Sequence, residues 1–312
     1  MRTLPFLTLF VACLAALFGL RFALEPLAKG VEAVRAAIPS APGAMMAVPP
    51  KPEGADAEPD ATGPGGAGRL TPEACEAMAD AVRDTCFQAL ARQSAARDPD
   101  GALQICAGVF DEELRWECHA DVAEAAAAVD RAAAAAICVG IPKVKWRGQC
   151  NFGIGLALAE IDSAAALESC EKSEIFRDFC RHDVVGEVAL VDVDAAVAFC
   201  AREEGDPLTR STCWHGIGKY LARRDAGEAR AACDRSTVSW RDNCFHGVGW
   251  GAAERDADQA LSACAGFGGY ADNCRHGVAA QLKRFDPTRA VALCEALGSP
   301  AVRTRCLDFV TR

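Results

Sequence analysis

The chain has 312 residues, 51% of them apolar, and its 43 acidic against 33 basic side chains leave a formal net charge of −10. That balance argues against nucleic acid as a partner, because phosphate recognition needs clustered Lys and Arg. Sixteen of the seventeen cysteines fall after residue 70, which points to an oxidising compartment for that part of the chain.

Residues 3–20, TLPFLTLFVACLAALFGL, form an apolar run of eighteen between Arg2 and Arg21. A run of that length is just enough to cross a bilayer as a helix. A cleaved signal peptide is the other reading, but no small-x-small cleavage motif follows the run, which favours an uncleaved anchor. Cys13 follows Phe10-Val11-Ala12, a poor match to a lipoprotein signal. From Phe22 to Ile38 apolar residues recur at helical spacing with a bend near Pro26. Residues 1–38 therefore read as a transmembrane anchor, or signal peptide, with a juxtamembrane helix. Residues 39–70 hold seven Pro and six Gly and almost nothing to bury, so they read as a disordered linker. As a flexible coil the linker reaches roughly 30 Å. The cysteines beyond it put residues 71–312 in an oxidising space, the periplasm or an equivalent exterior; the expected setting is the periplasmic face of a bacterial inner membrane.

Residues 71–312 are repetitive. Their cysteines fall into eight consecutive pairs: Cys75 with Cys86, Cys106 with Cys118, Cys138 with Cys150, Cys170 with Cys180, Cys200 with Cys213, Cys233 with Cys244, Cys264 with Cys274, and Cys294 with Cys306. Members of a pair are 10 to 13 residues apart, and first cysteines recur every 30 to 33. A fixed period in this range marks a helical array.

The first helix of a unit opens on an Asp eight residues before its cysteine in seven units: Asp98, Asp130, Asp162, Asp192, Asp225, Asp256 and Asp286. Its carboxylate is suited to accept from the free N–H groups of the first turn. An Ala stands four before the cysteine in the same units, from Ala102 to Ala290, on the same helix face. For the second helix, Asp80, Asp111, Thr237, Asp206-Pro207 and Ser299-Pro300 are the expected starts. A large side chain four before the second cysteine (Leu114, Trp146, Phe176, Trp240, Tyr270) is expected in the core. Small residues follow that cysteine, as in Gly216-Ile217-Gly218 and Gly247-Val248-Gly249, where helices are expected to cross closely. The first unit lacks the Asp and the Ala; it is either a capping hairpin or one long helix that would hold Cys75 and Cys86 apart. Each first helix is too short to hold alone in water, so a bridge contributing about 3 kcal/mol would stand in for a core.

The pattern D-x3-A-x3-C, then C-x-x-G, carried by Asp256–Cys264 and Cys213–Gly216, resembles the cysteine-rich Sel1-like repeats, which are tetratricopeptide-like hairpins. The resemblance covers residues 71–312, although these units are shorter. It implies a right-handed α-solenoid of about eight disulfide-linked hairpins, and a tendency to bind proteins or peptides.

Two registers invite chemistry. His182, His215, His246 and His276 each stand two residues after a second cysteine, so neighbouring imidazoles on stacked units would lie close enough to share a metal. The plainer expectation is that each fills an interface between units or bonds a backbone carbonyl. Arg stands three before the second cysteine in seven units: Arg83, Arg115, Arg147, Arg177, Arg210, Arg241 and Arg303. An anion-binding row is the sharper reading, and stems lying along helix surfaces the plainer one. The cysteine spacing does not fit zinc knuckles, and no phosphate loop, nucleophile elbow or HExxH is present. The sequence therefore reads as a membrane-tethered, non-catalytic scaffold with no cofactor. Its partner would be a protein or peptide, alone or as part of a membrane complex. Trp214 and Trp250 are the candidate docking residues, and a metal or cofactor protein using the four histidines is the alternative.

Overall fold

The computed structural model describes residues 70–202 and 207–312. The expected anchor over 1–38, all but the last residue of the linker over 39–70, and the expected cap Asp206 lie outside the described residues. Among the described residues no helix is long and apolar enough to cross a membrane.

The described residues are all-helical, with sixteen α-helices, two 3₁₀ turns and no strand. Short helices α1 (Pro72–Glu76), α3 (Pro99–Cys106), α5 (Arg131–Gly140), α7 (Ser163–Glu171), α9 (Val193–Arg202), α11 (Ala226–Asp234), α13 (Ala257–Ala265) and α15 (Pro287–Glu295) alternate with long ones. The long helices are α2 (Asp80–Ala95), α4 (Glu112–Ala127), α6 (Val144–Leu158), α8 (Arg177–Val191), α10 (Pro207–Arg224), α12 (Val238–Ala253), α14 (Ala271–Leu282) and α16 (Pro300–Thr311). Each short helix packs on the long helix that follows it, and each long helix packs on the next long one.

All eight expected cysteine pairs are bonded, each joining a short helix to the long helix after it. Cys75 is bonded to Cys86, Cys106 to Cys118, Cys138 to Cys150, and Cys170 to Cys180. Cys200 is bonded to Cys213, Cys233 to Cys244, Cys264 to Cys274, and Cys294 to Cys306. Within each pair the Cα atoms are 5.3 to 5.8 Å apart, the ordinary span of a disulfide. The first unit is a hairpin: α1 and α2 are separated by residues 77–79, which lets Cys75 meet Cys86. All seven Asp residues accept a backbone N–H three residues on, at 2.8 to 3.0 Å. The seven Ala residues one turn before the cysteine are 0 to 2% exposed, so the short helix meets its partner through its smallest side chains.

Other expectations need correction. Asp111 and Ser299 cap their helices, but Asp80 lies inside α2, whose cap is Ala79, and Thr237 makes no side-chain cap bond. Of the large residues four before the second cysteine only Trp146 is buried; Leu114, Phe176, Trp240 and Tyr270 are half-buried. The arginine register serves the turn between the short and the long helix. Arg115, Arg147, Arg177, Arg241 and Arg303 donate to carbonyls of Val109, Ile141, Glu171, Ser236 and Leu297, five or six residues back. These are carbonyls left unpaired where the short helix ends, so in these five hairpins the guanidinium closes the turn from within.

Candidate functional site

The long helices carry the histidines, and glycine sets how closely those helices lie. In three units the residue after the histidine is glycine: Gly216, Gly247 and Gly277. A Cβ on them would collide with the carbonyl oxygens of His182, His215 and His246 respectively. Only a residue without a side chain permits that approach. The same contact that joins α8 to α10, α10 to α12 and α12 to α14 therefore brings successive imidazoles together.

His182 Nε2 lies 2.9 Å from His215 Nδ1, and His215 Nε2 lies 3.0 Å from His246 Nδ1. The ring centroids are 5.0 and 5.1 Å apart, with planes 25° and 38° from parallel. These separations exceed the N···N distances by about the width of one ring, so the rings meet end to end and not face to face. His276 extends the row by an edge contact on His246, with centroids 4.4 Å apart and planes at 71°. Its Nε2 is enclosed without a hydrogen-bond partner.

Asp183 closes the other end. It occupies the position that glycine fills in the next three units. Its Oδ1 lies 2.5 Å from His182 Nδ1 and accepts the Tyr220 hydroxyl at 2.9 Å. Burial works against the charge on Asp183, yet the bonds from His182 and Tyr220 hold its carboxyl below the usual range. Burial, then the charges of His246, His182 and Lys219, hold His215 well below the ordinary imidazole value. Burial, His276 and Arg305 hold His246 at about 3, and burial with Arg305 holds His276 at about 4.

Around the row lie Lys219, depressed chiefly by burial, and Arg223, paired with Glu254 at 2.6 Å. Trp250 is half-buried beside them, with ring centroids 5.9 Å from His215, 6.0 Å from His246 and 6.1 Å from Phe309, and the Lys219 ammonium 5.6 Å away. Trp214 is elsewhere. It is 2% exposed, as Phe245 at the equivalent position is 1% exposed, so the residue after the second cysteine is a core position. Trp214 has no face to offer a partner.

The four histidines thus meet at the interfaces between units, as the plainer expectation had it, but three of them bond one another and not backbone carbonyls. Among the described residues no group of three or more His, Cys, Asp or Glu is placed to hold a metal ion. For the metal-sharing alternative, the ring nitrogens of His182, His215 and His246 face each other in pairs at hydrogen-bond distance. Asp183 and Tyr220 were not singled out from sequence. The signal available was Asp183 itself, the one row histidine's successor that is not glycine. No family model, curated protein or solved structure matches this chain.

Proposed function

We propose that residues 71–312 wind as a right-handed solenoid of eight hairpins and act as a non-catalytic scaffold, docking a protein or peptide along the long-helix face. In this reading the segment before residue 71 tethers the array to a bacterial inner membrane, with the repeats in the periplasm. The eight disulfides, the serial packing of long helices and the resemblance to Sel1-like repeats support it.

The observation that carries the docking face is Trp250. It is a large aromatic that the core leaves partly exposed, set between a lysine and Phe309. Docking energy concentrates in such aromatic and cationic side chains. Proteins that co-purify with the tagged, membrane-extracted chain identify the partner, and Trp250→Ala then tests it. The variant is expected to keep its helicity and lose roughly 30-fold in affinity, the ~2 kcal/mol of a hot-spot truncation. Unchanged affinity in a folded variant would remove this face from the reading.

A further inference from the structure

The histidine row has a direction. Asp183 Oδ1 accepts from Tyr220 and is a carboxylate, so His182 Nδ1 must be the donor toward it. If His182 is neutral, its Nε2 is an acceptor and His215 Nδ1 must donate to it. His215 Nε2 is then an acceptor in turn, and His246 Nδ1 must donate. One carboxylate on α8 therefore sets the tautomer of three rings on three helices, and leaves His246 Nε2 with a lone pair.

We propose that this row is a proton relay, in which one proton taken up at His246 Nε2 is delivered to the His182–Asp183 pair by inverting the imidazoles between. A hydronium ion gives its proton to His246 Nε2 and leaves as water. The His246 Nδ1–H bond breaks as His215 Nε2 takes that proton, and the His215 Nδ1–H bond breaks as His182 Nε2 takes the next. His215 and His246 end neutral, with their protons on Nε2. His182 ends as an imidazolium, its Nδ1–H still on Asp183, holding the one added charge. His246 Nε2, beside Trp250 and His276, has changed from acceptor to donor. Protonation at one end of the row is thus read at the other, two units away.

The surroundings favour charge at the Asp183 end. Burial and neighbouring positive charge disfavour a resident proton on His215 and His246, while His182 faces a carboxylate. The charged groups bearing on the row are Asp183 and Glu187 on α8, Lys219 and Arg223 on α10, Glu254 at the end of α12, Arg284 in the turn after α14 and Arg305 on α16. Tyr220 on α10 is neutral, its hydroxyl pushed up by burial and Asp183.

The full-length chain labelled with ¹⁵N-histidine tests this, because five histidines give few signals and two-bond ¹H–¹⁵N spectra show which ring nitrogen carries the proton. His215 and His246 are expected to share one tautomer and to invert together, with one midpoint, as His182 gains charge. Asp183→Asn keeps an acceptor for His182 and Tyr220 but removes the charge, so the midpoint of all three rings should fall by about one pH unit or more. Tyr220→Phe removes a donor from the carboxylate and should raise it. His119, outside the row against Trp116, should not move. Independent titration of His215 and His246, or a shift in Asp183→Asn confined to His182, overturns the relay. If Asp183→Asn does not fold, by circular dichroism and thiol count, a Tyr220→Phe midpoint that does not rise overturns it alone.

Discussion

Between α4 and α6 the long helices meet through side chains. Gly153 faces the Glu124 carboxylate, whose Oε2 is 2.8 Å from where a Cβ would stand, and Glu124 reaches across to Arg92 at 3.3 Å. From α8 to α14 they meet backbone against backbone, with Gly216, Gly247 and Gly277 under the preceding histidine carbonyls. One repeat thus makes two kinds of joint. A side-chain joint can yield, since a flexible arm can swing away. A backbone joint cannot, and among the described glycines it runs under the histidine row from α8 to α14.

The sharpest way to break this contrast is a methyl group. In Gly247→Ala the new Cβ strikes the His215 carbonyl, which moves only if α10 and α12 part. The expected cost is about 3 kcal/mol, the upper end for overpacking. In Gly153→Ala the obstacle is chiefly the far end of Glu124, and the gain of about 0.5–1 kcal/mol in helix propensity offsets it. Urea unfolding with disulfides intact measures both. Equal losses would mean the two joints are alike.

Single groups in the two regions should also answer acid with opposite signs. His246 at about 3 and His276 at about 4 lie below the ordinary imidazole value of about 6.5. The unfolded chain therefore binds the extra protons, and the stability from these rings is whole above about pH 6.5 and drains as the pH falls. On α4, burial lifts Asp121 to about 6 from an unfolded value near 3.9. There the folded state binds the extra proton, so the penalty stands in full above pH 6 and is relieved toward pH 4. Asp121→Asn is expected to stabilise by on the order of 1–2 kcal/mol at pH 7 and by nothing at pH 4, after allowing for solvent screening. His276→Gln should flatten the fall in melting temperature between pH 6.5 and 4. A wild type equally stable across that window, with both variants following it, would erase the distinction.

What the sequence disclosed, and what it withheld, follows from period. Cysteine pairs, Asp caps and buried Ala recur at fixed offsets, and each is decided within one hairpin, so the all-helical, cysteine-paired fold was legible. The histidine register was equally plain, but its use depends on the distance between hairpins. That distance is set by Gly216, Gly247 and Gly277 acting on a neighbour some thirty residues away. Asp183 terminates the row by being an exception to a glycine register, and an exception carries meaning only once the register's purpose is known. Trp214 misled for a related reason: one residue past the cysteine, the helix turns toward the next hairpin, a face that within-unit spacing does not define.

The smallest effect is a control on the whole contrast, because the short helices differ little between the regions. Asp130, in the early region, accepts one backbone N–H at 2.9 Å, from Ala133. Asp256, in the late one, accepts from Asp258 and Gln259 at 2.9 and 3.0 Å. Both oxygens stand at the start of a helix held by an Ala and a disulfide one and two turns on, so the local work is the same. Replacement by Ala should therefore cost about 1 kcal/mol at either place, with the second bond at Asp256 adding at most a few tenths, since it shares one oxygen between two donors. Thermal unfolding of Asp130→Ala beside Asp256→Ala decides the matter. Losses that match confine the difference between regions to the long-helix joints. A markedly larger loss at Asp256, with the histidine signals disturbed, would mean that the short helices also hold the row in register.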